Sequence, residues 1–223
     1  MVALHLGLTT STPRFEAALL RDGEATATIV YEDQKAHAER MFGCIDDLLA
    51  DGGATKADLT GVICDIGPGS FTGIRVGLAA AKGIAMGLGV PLWPVTSLRL
   101  MCADGLALRP ELDVVAAVLD AKRGELFVAA YDRAGASVLS PRAIAVDDLE
   151  HHVRALVRCG ARGERTGSWL DEIAAPRARA MASFAAGEPP PLETIEPIYL
   201  RAADAKRPAL APDRRQHLDP KRT

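Results

Sequence analysis

Residues 65–83 read DIGPGSFTGIRVGLAAAKG, and the punctuation of this stretch decides the fold. The apolar run Gly61–Ile66 predicts a short strand, Gly67-Pro68-Gly69 a tight turn, and Phe71–Met86 a helix with little polar character. Glycines between a strand and a helix let backbone N–H groups converge on an anion near the positive helix end. The spacing fits neither standard nucleotide motif. Gly73 is followed by Ile74-Arg75 rather than by Lys and Ser or Thr, and Thr72 stands where a dinucleotide loop has its third glycine. On spacing alone, plain turn glycines and a degenerate phosphate loop at Gly67, Gly69, Ser70, Thr72 and Gly73 both remain open.

Upstream, Val2–Leu8 is a short apolar run, followed by a hydroxyl-rich turn through Thr9, Thr10, Ser11 and Thr12, then by Phe15–Leu20. Asp22-Gly23 supplies a second turn before a β-branched run from Thr26 to Tyr31, so three antiparallel strands open the chain. From Ala38, Met41, Phe42, Ile45, Leu48 and Leu49 recur at helical spacing, which predicts one apolar helix face ending at Gly52-Gly53. Downstream, Val90–Val95 reads as a strand and Ser97 as the N-cap of a helix through Leu106. Strands at Val114–Leu119 and Leu126–Tyr131, then a helix near Val146–Val157, restart the same order. Two related lobes are expected, residues 1–108 and a reduced copy at 109–201, with a charged, mobile tail at 202–223.

The chain has 223 residues, 48% hydrophobic and 25% charged, enough to bury a core. A net charge of -3 argues against nucleic-acid binding by this chain unaided, because phosphate contact draws its affinity from clustered Lys and Arg. Cys44, Cys64, Cys102 and Cys159 form no C-x-x-C pair and read as buried thiols of a reducing cytoplasm. No basic leader and no uncharged apolar span of about 20 residues is visible, so a cytoplasmic protein with no membrane contact is expected.

The string GPGSFTGIRVGLAAAKG resembles the hallmark of the TsaB (YeaZ) family, supported by LGLTTST at 6–12, PLWPVTSL at 91–98, DAKRGE at 120–125 and PIYLR at 197–201. The resemblance covers about residues 1–201. It implies an α/β, two-lobed actin-like ATPase (ribonuclease H-like) fold with the second lobe reduced. It also implies a non-catalytic subunit of the tRNA threonylcarbamoyladenosine machinery, paired with the catalytic subunit TsaD, working with the ATPase TsaE and the adenylate synthase TsaC, and a homodimer when alone. Contact with tRNA is then made only through the complex, and ATP or ADP belongs to the assembled complex, this chain needing no cofactor of its own. One departure stands out: the family pattern has Asp in its first turn, where this chain has Thr9, which hydrogen-bonds but neutralises no divalent cation.

The catalytic sister carries a metal-binding H-x-x-x-H, and Ser97 and Met101 occupy the matching positions here. The resemblance therefore implies no metal and no catalytic residue in this chain, nor is a Ser-His-Asp or Cys-His constellation for proteolysis visible. An independent small ATPase or kinase of the same fold is the alternative. The Phe71–Met86 helix is apolar on nearly every side, more than one sheet face requires, and no acid on it answers Arg75 and Lys82. Either the helix is sandwiched within its own domain or it faces a partner. The second reading places a partner interface at Met41, Ile45, Leu48, Ile74, Arg75, Leu78, Ala81 and Lys82.

Overall fold

Strands β1 (Leu4–Thr9), β2 (Phe15–Arg21) and β3 (Glu24–Tyr31) form an antiparallel meander. Strands β4 (Gly61–Asp65) and β5 (Leu92–Val95) then add in parallel beside β1, giving the order β3-β2-β1-β4-β5. The second half repeats this plan. Strands β6 (Val114–Lys122), β7 (Glu125–Asp132) and β8 (Ser137–Ala145) make the meander, and β9 (Val157–Gly160) and β10 (Trp169–Leu170) run parallel beside β6, in the order β10-β9-β6-β7-β8. This α/β pattern of two like-wound sheets is the actin-like, two-lobed fold that the sequence implies. The computed structural model describes residues 3–32, 37–154, 156–160, 169–170, 173 and 176–200, and the expectation for the tail at 202–223 lies outside the described residues.

Period-two alternation sends Leu4, Leu6 and Leu8 of β1 to one face of the first sheet. There they meet helices α1 (His37–Asp51) and α2 (Phe71–Leu88), through Met41, Ile45 and Leu48 of the first and Leu78, Ala81 and Ala85 of the second. The opposite face, with Ala18, Leu20, Ile63 and Val95, is closed by Leu100 of helix α3 (Ser97–Leu108) and by Ala178 and Met181 of the 3-10 helix Ala178–Ser183. Helix α3 also gives Leu98, Met101, Cys102 and Leu106 to the core of the second sheet. It therefore belongs to both packing units, and Ile195 adds to the core of the first sheet.

Among the described residues, the helices of the second copy are short. Where one helix was expected near Val146–Val157, the chain makes a 3-10 turn at Val146–Asp148, the five-residue helix α4 (Leu149–Val153) and then strand β9. Burial of Val115 and Ala117 on one face and Ala116 and Val118 on the other explains why β6 reads as a continuous apolar run. By length and composition alone α2 could cross a membrane, although it carries Arg75 and Lys82 and packs against β4 and β1. All four cysteines are buried free thiols.

Candidate functional site

β4 ends in Asp65, which is fully buried and collects four hydrogen bonds. Thr9 Oγ1 and Ser11 Oγ donate to Oδ2 at 2.7 and 2.6 Å, while Ser97 Oγ and the Gly67 N–H donate to Oδ1 at 2.7 and 2.9 Å. Burial pushes this carboxyl above its ordinary range and the four donors pull it back, burial being the larger effect. Its partners come from β1, the turn after it, the glycine loop and the first residue of α3, so the carboxylate fastens four segments rather than facing a ligand. Thr9 suits that role. An Asp at position 9 would set a second carboxylate against Asp65, and one of the two would have to keep a proton. The hydroxyl of Ser97 serves the same hub, and the N-cap is Thr96, whose side chain accepts from the Arg99 N–H. Met101 lies in the core of the second sheet.

The glycines of the hallmark have a steric origin. Gly69, Gly73 and Gly77 recur every four residues, and a Cβ on them would collide with Ser11 O, Thr10 O and Thr10 Oγ1 respectively. The hydroxyl turn lies directly on the start of α2: the Ser70 N–H donates to Ser11 O at 2.6 Å and Thr10 Oγ1 to Gly73 O at 2.8 Å. Gly67 has φ +97, a left-handed conformation that glycine adopts freely, and a Cβ there would meet Ile198 O at 2.9 Å. Within the expected phosphate loop the N–H groups of Gly67, Ser70 and Gly73 already bond to Asp65, Ser11 O and Ser70 Oγ. Thr72 is exposed. The loop is thus a close-packed joint between turn and helix.

The expected partner interface needs correction. Met41, Ile45, Leu48, Ile74, Leu78 and Ala81 are all buried inside the chain's own fold. Two helices lie side by side on one sheet face, so each buries a wider arc than a lone helix would, and the stripes legible in sequence are consumed internally. What α2 turns outward is Phe71, Thr72, Arg75, Ala79, Gly83 and Met86, a line at spacings of three and four; Lys82 is half-buried beside it. Met86 is 74% exposed, and Phe42, which sequence reasoning put on the buried face of α1, is 50% exposed. Gly73 and Gly77 admit the hydroxyl turn, whereas Gly83 and Gly87 have nothing near them.

The segment at Ile198 and Tyr199 joins this surface. The Ile198 N–H donates to Ile66 O at 2.8 Å, which sets Tyr199 over the start of α2. Arg75 Nε donates to the Tyr199 hydroxyl at 2.8 Å, and the guanidinium carbon lies 3.8 Å from the Phe71 ring centroid. Spacing could not have revealed this contact, which spans 124 positions.

Comparison with known proteins places these features. Residues 26–206 match the family model described as TsaD: tRNA N6-adenosine threonylcarbamoyltransferase. The chain is 29% identical over 219 residues to the Escherichia coli tRNA threonylcarbamoyladenosine biosynthesis protein TsaB, covering 88% of this chain and 94% of that protein. The protein of the same description from Haemophilus influenzae is 38% identical over 122 residues, 55% of this chain and 51% of that protein. A Mycobacterium tuberculosis protein described as uncharacterised is 33% identical over 212 residues, with 92% and 95% covered. Among solved structures, a Pseudomonas aeruginosa protein described as similar to peptidase YEAZ superimposes with a TM-score of 0.76 at 25% identity, covering 89% of this chain and all of the other. The structure described as YeaZ from the same organism gives 0.73 at 24% identity with the same coverage.

Proposed function

We propose, because the chain belongs to the family of TsaD-type tRNA N6-adenosine threonylcarbamoyltransferase proteins, on its TsaB (YeaZ) branch, that it is a non-catalytic subunit of the machinery making threonylcarbamoyladenosine in tRNA. Its role is to bind and support the catalytic subunit TsaD in the cytoplasm, in an assembly completed by TsaE, with tRNA and ATP or ADP engaged by the complex as a whole. When TsaD is missing, a second copy takes its place on the same surface.

The observation that carries this reading is the outward face of α2. Phe71, Ala79, Gly83 and Met86 leave apolar area in water along a helix with no acid, and Phe42 of α1 is exposed as well. Covering such area is worth roughly 25 cal/mol per Å2, and the small residues let a partner helix approach closely. Asp65 is spent as an internal fastener, Thr9 carries no charge, and Ser97 and Met101 are committed to the hub and the core. Three of the loop's amides are already paired, which disfavours an independent ATPase.

The test is sedimentation of the full chain with TsaD from the same host. Glutamate at Leu78 or Ala81 would break the core, so the informative variants are Ala79→Glu and Met86→Glu on the exposed line. Both should keep the native circular dichroism spectrum and lose pairing; wild-type pairing by both would place the interface elsewhere.

A further inference from the structure

We infer that Arg75, clamped by Phe71 and Tyr199, is a preset fork that reads a carboxylate on the protein partner docked along α2. This rests on the interface reading above and names the contact that gives it specificity.

An exposed arginine ordinarily samples many rotamers and gains little from pairing, because ordering it costs entropy. Arg75 has been ordered in advance. Its Nε–H is bonded to the Tyr199 hydroxyl at 2.8 Å, its guanidinium carbon lies 3.8 Å from the Phe71 ring centroid, and that ring sits 5.2 Å from the ring of Tyr199. Tyr199 is itself held through the Ile198 N–H on Ile66 O. With Nε occupied, the two terminal nitrogens remain, and among the described residues no carboxylate or carbonyl bonds to either. A planar pair of N–H donors fixed against aromatic rings matches a carboxylate bidentately, and a partner would desolvate it further.

The surroundings select a protein acid over an RNA phosphate. Arg75 is set in a line of Thr72, Ala79, Gly83 and Met86, with half-buried Lys82 as the only other cation on α2. Phosphate backbones are held by several cations together, whereas one arginine anchored on aromatic rings at the edge of an apolar stripe is what carries protein pairing.

The experiment measures affinity of the full chain for TsaD of the same host at low and moderate salt, with Arg75→Ala, Arg75→Lys, Tyr199→Phe and Met86→Glu. All three sites are exposed, so unfolding midpoints should stay near wild type. Arg75→Ala and Arg75→Lys should both weaken pairing about 30-fold or more, since lysine offers no fork. Tyr199→Phe keeps the ring but frees Nε, and should weaken it about 2- to 10-fold. Wild-type affinity of Arg75→Lys would overturn the fork. Unchanged TsaD affinity of Arg75→Ala with weakened tRNA binding by the complex would overturn the carboxylate in favour of phosphate. Should Met86→Glu abolish pairing while Arg75→Ala spares it, the fork falls and the interface stands; if both pair normally, the interface reading falls as well.

Discussion

Gly73→Ala distinguishes a steric joint from an ordinary helix start. In a helix interior alanine is about 1 kcal/mol better than glycine, so local propensity alone predicts a more stable protein. The structure predicts the opposite, because the added Cβ would run into the backbone oxygen of Thr10, which no rotamer change can move aside. The turn must back away, losing the Thr10 Oγ1 to Gly73 O bond at about 1 kcal/mol and adding about 1–3 kcal/mol of overpacking strain. The net loss is about 1–3 kcal/mol, or roughly 2–12 °C in melting temperature at this chain length. Gly83→Ala is the internal control, since Gly83 lies in the same helix with nothing within 4 Å, and it should gain up to about 1 kcal/mol. Urea unfolding followed by far-ultraviolet circular dichroism measures both. If the two variants shift together, the hydroxyl turn does not pack on α2 as described.

Asp65→Ala should cost about 3 kcal/mol or more, because the Gly67 N–H cannot turn away as the three hydroxyls can; Asp65→Asn, which keeps an acceptor, should cost less, and equal midpoints in urea would argue against the hub. His5 is held below its ordinary pKa by burial, its ring 5.5 Å from that of Trp93. The unfolded chain takes up this proton first, so stability should fall as pH drops below about 6.5 toward the folded value. His5→Gln should flatten that fall between pH 7.5 and 5.5, and an unchanged slope would remove His5 as its source. Burial pushes the Cys102 thiol up to about 12 and raises Cys159 as well, so neither should react with a thiol reagent at pH 8 until urea unfolds the chain. Rapid native labelling of either would show that the second core opens.

The first sheet and the β6–β7 pair were readable in sequence because their signals are local. The apolar run of β1 and the Asp22-Gly23 turn each rest on fewer than about ten neighbouring residues, and the strand, loop and helix around Asp65 follow one another without a break. Strands β8 and β9 were hidden. β8 is an edge strand with mixed exposure and Pro141 within it, and β9 follows a helix of only five residues. The Ala178–Ser183 segment gave no periodic signal, since it is held by long-range packing on the first sheet. The interface expectation failed for a related reason: periodicity reports which residues of α1 and α2 are apolar, but not that two helices share one sheet face. Arg75 was legible as a cation without an acid on its helix, and only the fold brings Tyr199 to it.

On the function proposed above, this chain supports threonylcarbamoyl transfer to tRNA by docking α2 on TsaD. The most direct measurement is threonylcarbamoyladenosine formation by TsaC, TsaD and TsaE from the same host, with and without this chain and with Met86→Glu in its place. Modified tRNA should form only with the wild-type chain, with near-background product for the variant. Full modification without the chain, or with the folded variant, would contradict it.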